Sequence, residues 1–105
     1  MKPSISDMAC TWQVISPDAL ILHRWSARAL VYNDLSGHTH LLDEMTTVAF
    51  EQILSGPLSE ESLVDYLAEV FELPINARLE QWSHQALLHL ENLGLIAFTR
   101  HEGTR

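Results

Sequence analysis

Between residues 27 and 42 the chain reads as short β-prone runs with a period of two; from residue 43 onward the apolar positions recur every three to four residues. The first pattern belongs to paired strands and the second to amphipathic helices. Ala27–Asn33 and His38–Leu42 are predicted strands, joined by the hairpin loop Asp34-Leu35-Ser36-Gly37 with glycine last. If Asn33 faces His38, then Tyr32 pairs with Thr39, Val31 with His40 and Leu30 with Leu41. One face of this ribbon carries Leu30, Tyr32 and Leu41 and is assigned to the core. The other carries Val31, His38, His40 and Leu42 and, being more polar, is assigned to solvent or a partner. A slip of one residue would exchange the two faces.

Asp43 is placed to cap a helix from Glu44 to Leu54, ended by Gly56-Pro57. Its apolar positions are Met45, Val48, Ala49, Ile53 and Leu54, with Phe50 beside them. Ser59 caps a second helix, whose first turn holds Glu60 and Glu61 against the positive end of the dipole. Leu63, Tyr66, Leu67, Val70 and Phe71 form its stripe, and Pro74 breaks the chain. Asn76 caps a third helix from Ala77 to about Leu93, with a stripe of Ile75, Leu79, Trp82, Ala86, Leu90 and Leu93. Gly94 stands where a helix stop needs a left-handed residue. Leu95–Thr99 is a last short strand. Before the ribbon, Trp12–Ile15 is β-prone and ends at Ser16-Pro17-Asp18, while Ala19–His23 fits a strand or a turn of helix equally well.

These elements predict an α+β domain over residues 11–99, with flexible segments at 1–10 and 100–105: a winged helix-turn-helix, with a small antiparallel sheet of about three strands packed on three helices. The chain has 105 residues and is 47% hydrophobic, enough for one domain with a core. Its net charge of −8 argues against DNA or RNA, whose binding draws on neutralised phosphates. The third helix offers Arg78 alone against Glu80 and Glu91. No apolar run is long enough to span a bilayer, and Met1–Cys10 lack the apolar stretch of a signal peptide, so neither a membrane nor an exported location is expected and the cytoplasm is. Cys10 is the sole cysteine and is read as a passive residue.

Catalytic chemistry finds no support. The chain has no nucleophile elbow and no glycine-rich phosphate loop, and its carboxylate pairs Asp43-Glu44 and Glu60-Glu61 sit at helix starts, where the dipole explains them. The expectation is a protein that is not an enzyme, uses no cofactor and holds no metal. His38 and His40 share a strand face, but zinc needs a third protein ligand, for which only His23, Asp43 or the third helix is available. Trp82 falls on the core stripe, and Trp25 reads as core or as a lid over the ribbon. A short ribbon leaves an open edge that an extended peptide can fill by strand addition. Leu87 and Leu88 either line a groove beside that edge or belong to the core.

The segment Val31-Tyr32-Asn33-Asp34-Leu35-Ser36-Gly37-His38-Thr39-His40-Leu41-Leu42, preceded by Trp25, resembles the strand–SG–x–TH–L–L signature of PqqD-like proteins of the HPr-rel-A type, linked to an HPr-kinase-related system. The helical stretch and the ending Leu90-Glu91-Asn92-Leu93-Gly94-Leu95-Ile96 resemble the same family, over roughly residues 12 to 98. The resemblance implies a three-stranded antiparallel sheet on three helices. It also implies kinship to RiPP recognition elements, in which a precursor's leader peptide adds beside the third strand and rests on the third helix. Carried over, these are His38–Leu42 and Ala77–Leu93. The chain would then be a peptide chaperone presenting a substrate to a modifying enzyme. His38 departs from the family pattern, where this position is often acidic, so a shared polar contact there is not carried over. The peptide-binding candidates are His38, Thr39, His40, Leu41 and Leu42 on the strand and Trp82, Gln85, Leu88 and His89 on the helix. The alternatives are a DNA-binding winged-helix regulator, or a structural or dimerisation module of an HPr-kinase-related complex. A homodimer is open to a chain with an unpaired strand edge.

Overall fold

The computed structural model describes residues 10–100. Strand β1 (Cys10–Val14) is followed by one turn of 3-10 helix at Pro17–Ala19, then β2 (Leu20–Trp25), β3 (Arg28–Asn33) and β4 (His38–Leu42). Three helices follow, α1 (Glu44–Leu54), α2 (Glu60–Phe71) and α3 (Ala77–Asn92), and β5 (Ile96–Arg100) closes the described chain. β2, β3 and β4 form an antiparallel sheet in that order, and β1 pairs with β5 in a second, two-stranded sheet. The α+β class stands, with five strands in two sheets in place of about three in one.

Ala19–His23 resolves into both of its readings. Pro17 opens the short turn, and from Leu20 onward the chain pairs with β3, Leu20 opposite Asn33 and Trp25 opposite Arg28. The hairpin between β2 and β3 turns on Ser26 and Ala27, with Ser26 at φ 58°. Serine seldom takes that left-handed conformation, so this turn carried none of the glycine or asparagine signal that marks the next one. Cys10, expected in a loose segment, opens β1 opposite Arg100. Residues 1–9 and 101–105, the rest of the expected flexible ends, lie outside the described residues.

The ribbon register is the predicted one, Asn33 opposite His38 and Leu30 opposite Leu41, but its faces are reversed. Ala29, Val31 and Leu42 have no exposed surface, whereas Leu41 is 54% exposed and Tyr32 36%. The helices lie on the Ala29–Val31–Leu42 side, and Tyr32 and Leu41 are left outside. The local pattern pointed to the wrong side because the covered face is decided by how the helices pack across the sheet, which neighbouring residues do not encode.

The helix ends follow their capping residues. The Thr46 amide donates to Asp43 Oδ1 at 2.9 Å, the Ser62 amide to the Ser59 hydroxyl at 3.1 Å and the Leu79 amide to Asn76 Oδ1 at 3.0 Å. At the far end of α3, Gly94 N–H reaches the Glu91 carbonyl and Leu95 N–H the Leu90 carbonyl, the two bonds of a Schellman stop. Phe50, Ile53, Leu63, Leu67, Leu79, Leu87 and Leu90 fill the core, joined by Trp12 and Ile96 from the second sheet and by Leu95 just before β5. That sheet is tied in through Trp12, whose amide donates to the Leu58 carbonyl at 2.8 Å.

Candidate functional site: the open edge of β4 and the α3 groove

β4 has β3 on one side and no strand on the other among the described residues. Two backbone bonds reveal which of its amides are spent. Asp34 N–H donates to the Ala19 carbonyl at 2.8 Å and Gly37 N–H to the Asn33 carbonyl at 2.7 Å. Asp34 therefore points its backbone toward the β2 side and Asn33 toward β4. Backbone groups alternate sides along a strand, and the β3–β4 register runs without a bulge. His38, His40 and Leu42 thus spend their backbone groups on β3. The N–H and C=O of Thr39 and Leu41 point to the open edge.

The corner after β4 is held rigidly. The Thr47 hydroxyl, fully buried, donates to the Leu42 carbonyl at 3.3 Å, and the Thr47 amide donates to the Asp43 carbonyl at 2.8 Å. Beside this corner a cavity of about 530 Å³ separates the start of α1 from one face of α3, lined by Asp43, Met45, Thr46, Trp82, Gln85, Ala86 and His89. Asp43 and His89 also border a smaller cavity of about 260 Å³, completed by Arg28, Leu41 and Leu42 at the β4 edge. At its other end the groove passes Trp82 into a third hollow between Pro74, Asn76 and Arg78. Neighbouring hollows share lining residues, Asp43 and His89 at one end and Trp82 at the other, and they follow one another as a channel from the end of β4 along α3 toward its N-terminus.

Trp82, Gln85 and His89 recur at three and four residues and so fall on one side of α3, where all three line the channel. Trp82 is 45% exposed and is not core; Ser83 and Leu87 take the buried positions beside it. Its ring carries the Arg78 guanidinium at 5.9 Å from the centroid, which restrains a side chain that would otherwise swing freely. Leu41 and Leu42 meet the channel at its β4 end. Leu87 and Leu88 part company: Leu87 is buried, and Leu88 is exposed and lines none of these cavities. Successive residues of a helix are about 100° apart, which turns Leu88 away from the side that Gln85 and His89 share. His38, Thr39 and His40 do not line the channel either; they lie farther up the strand, with the His38 and His40 rings 6.2 Å apart and edge to face. No three His, Cys, Asp or Glu side chains gather around a common point among the described residues.

Met45, Thr46, Ala86, Arg28 and Asp43 were missed as lining residues. Arg28 was within reach: continuing the β3–β4 register one pair past Ala29 and Leu42 sets it opposite Asp43. Met45 carried no such signal, since its place on the α1 stripe fits core equally well.

No protein-family model matches the chain, and no curated protein does. A solved structure, TbiB1 in complex with the TbiA(beta) leader peptide, is similar to this chain with a TM-score of 0.66, at 17% identity, over 89% of this chain and 98% of that one. The two share a fold.

Proposed function

We propose that this protein is a non-catalytic adaptor that captures a leader peptide by strand addition at β4 and holds it against α3 for a modifying enzyme. The observation that carries this reading is the open edge at Thr39 and Leu41 running into the channel along Trp82, Gln85 and His89. An extended chain on that edge gains main-chain bonds from Thr39 and Leu41, and its alternate side chains drop toward the channel. At the other edge of the sheet, β2, Arg24 is paired with Glu51 of α1. The shared fold with TbiB1, itself solved with a leader peptide, supports the same reading, as does the resemblance of residues 31–42 to PqqD-like proteins of the HPr-rel-A type. An HPr-kinase-related enzyme is one modifying partner this resemblance suggests. His38 and Leu88, which face neither the open edge nor the channel, carry little of the binding.

The test is an NMR titration of the labelled chain with synthetic leader peptides encoded beside its gene. Shifts concentrated at Thr39, Leu41 and the Trp82 indole support the proposal. Binding that instead perturbs β2 or the far side of α3 overturns it.

A further inference from the structure

Among the described residues the β2–β3–β4 sheet is covered by helices on one face only. The same register that buries Ala29, Val31 and Leu42 brings Ile21, Trp25, Leu30, Tyr32 and Leu41 together on the other. Ile21 is 62% exposed, Leu41 54%, Trp25 46% and Tyr32 36%. His23 extends the patch, its ring 5.6 Å from that of Trp25. A contiguous apolar face of this kind marks a contact surface.

Charge indicates what covers it. The chain carries 14 carboxylates, yet none stands at an outward position of the three strands. Along the central strand the outward positions read Arg28, Leu30, Tyr32 and, one step past its end, Asp34, which keeps the alternation by bonding to Ala19. Neither Arg28 nor Asp34 has an ion-pair partner among the described residues. This order, cation–apolar–apolar–anion, is self-complementary about Val31.

We propose that a second copy of this chain docks on this face, the two sheets stacking through a two-fold axis that lies between them and crosses β3 at Val31. Under that axis Arg28 of one copy lies over Asp34 of the other, and Leu30 over Tyr32. Face-to-face sheets pack about 10 Å apart with strands within about 30° of alignment, a gap that long arginine and short aspartate side chains span. The other two-fold stacking, with β3 strands parallel, sets Arg28 on Arg28 and Asp34 on Asp34 and is disfavoured. The proposed axis also lays β4 over β4, so both open edges stay free on the same flank of the dimer. This dimer does not depend on the peptide-binding reading and differs from pairing through an open strand edge.

Sedimentation velocity of the full chain from micromolar to millimolar concentration tests it. The native chain shows a concentration-dependent dimer. Arg28→Asp and Asp34→Arg each weaken it by about tenfold or more, since each opposes like charges at two symmetric places. The double variant Arg28→Asp/Asp34→Arg restores it, and Tyr32→Lys abolishes it. Circular dichroism melts confirm that each variant is folded. A native chain that is monomeric throughout, a dimer indifferent to the single reversals, or a double variant as weak as the singles overturns the proposal; a monomeric result reassigns the face to a different protein.

Discussion

Thr39 and Leu41 differ from His40 in a way side-chain chemistry does not reveal: their backbone groups face the open edge and those of His40 face β3. Proline is tolerated on an edge strand where its missing N–H faced solvent. Leu41→Pro should therefore leave the fold intact and abolish peptide binding, whereas His40→Pro should unfold the hairpin by removing a ladder bond. His40→Ala should weaken binding modestly. Thermal melts beside calorimetric titrations separate these outcomes, and a Leu41→Pro variant that still binds would exclude strand addition. Trp82, half exposed in the channel, is the aromatic anchor of the proposed site; Trp82→Ala should cost about 2 kcal/mol of binding or more with little change in melting temperature. The neighbours Leu87 and Leu88 make a control pair. Leu87→Ala removes a buried side chain and should cost about 2–5 kcal/mol of stability, while Leu88→Ala should stay within about 0.5 kcal/mol.

The junction between β4 and α1 places the end of the strand against α3. Asp43 caps α1 while its carboxylate also borders the channel, so one residue holds the corner and forms part of the wall. Asp43→Ala should lose about 1 kcal/mol of stability in urea denaturation, and Asp43→Asn, which keeps the capping oxygen, should retain most of it. The β3–β4 turn depends on Gly37, whose φ is +78°, a conformation that costs a side-chain-bearing residue up to about 1–2 kcal/mol. The ties α3 makes to α2 through His84 and Glu60, 3.1 Å apart, and β2 makes to α1 through Arg24 and Glu51 lie at the surface. Surface pairs of this kind contribute about 0–1 kcal/mol, so element placement rests on the apolar core.

At the scale of the molecule, net charge and surface pattern sort the partners. With −8 overall and one arginine on α3, already over Trp82, no element among the described residues presents the cluster of cations that phosphates require. A gel shift with duplex DNA at low salt should show no binding; tight, salt-sensitive retention would restore the regulator reading. No described helix is long and apolar enough to cross a membrane. Among the described residues the sheet leaves two different surfaces uncovered, an edge with unpaired amides beside a channel and an apolar face bounded by Arg28 and Asp34, each proposed to receive a partner.

Local sequence determined the hairpin at Asp34–Gly37, its register, the capped starts of all three helices and the stop at Gly94, because each is decided by residues within a few positions of one another. The resemblance of residues 31–42 led further, to the expectation of a site at a strand edge and the third helix, which the NMR titration tests. What only the tertiary structure decided depends on contacts across the chain. The pairing of β1 with β5 joins residues far apart in sequence. The covered face of the ribbon was settled by where the helices pack, on the side of Ala29, Val31 and Leu42. Trp82 stands half exposed while Ser83 and Leu87 are buried beside it, and the channel it borders is lined by residues that α1, α3 and the end of β4 bring together from across the chain.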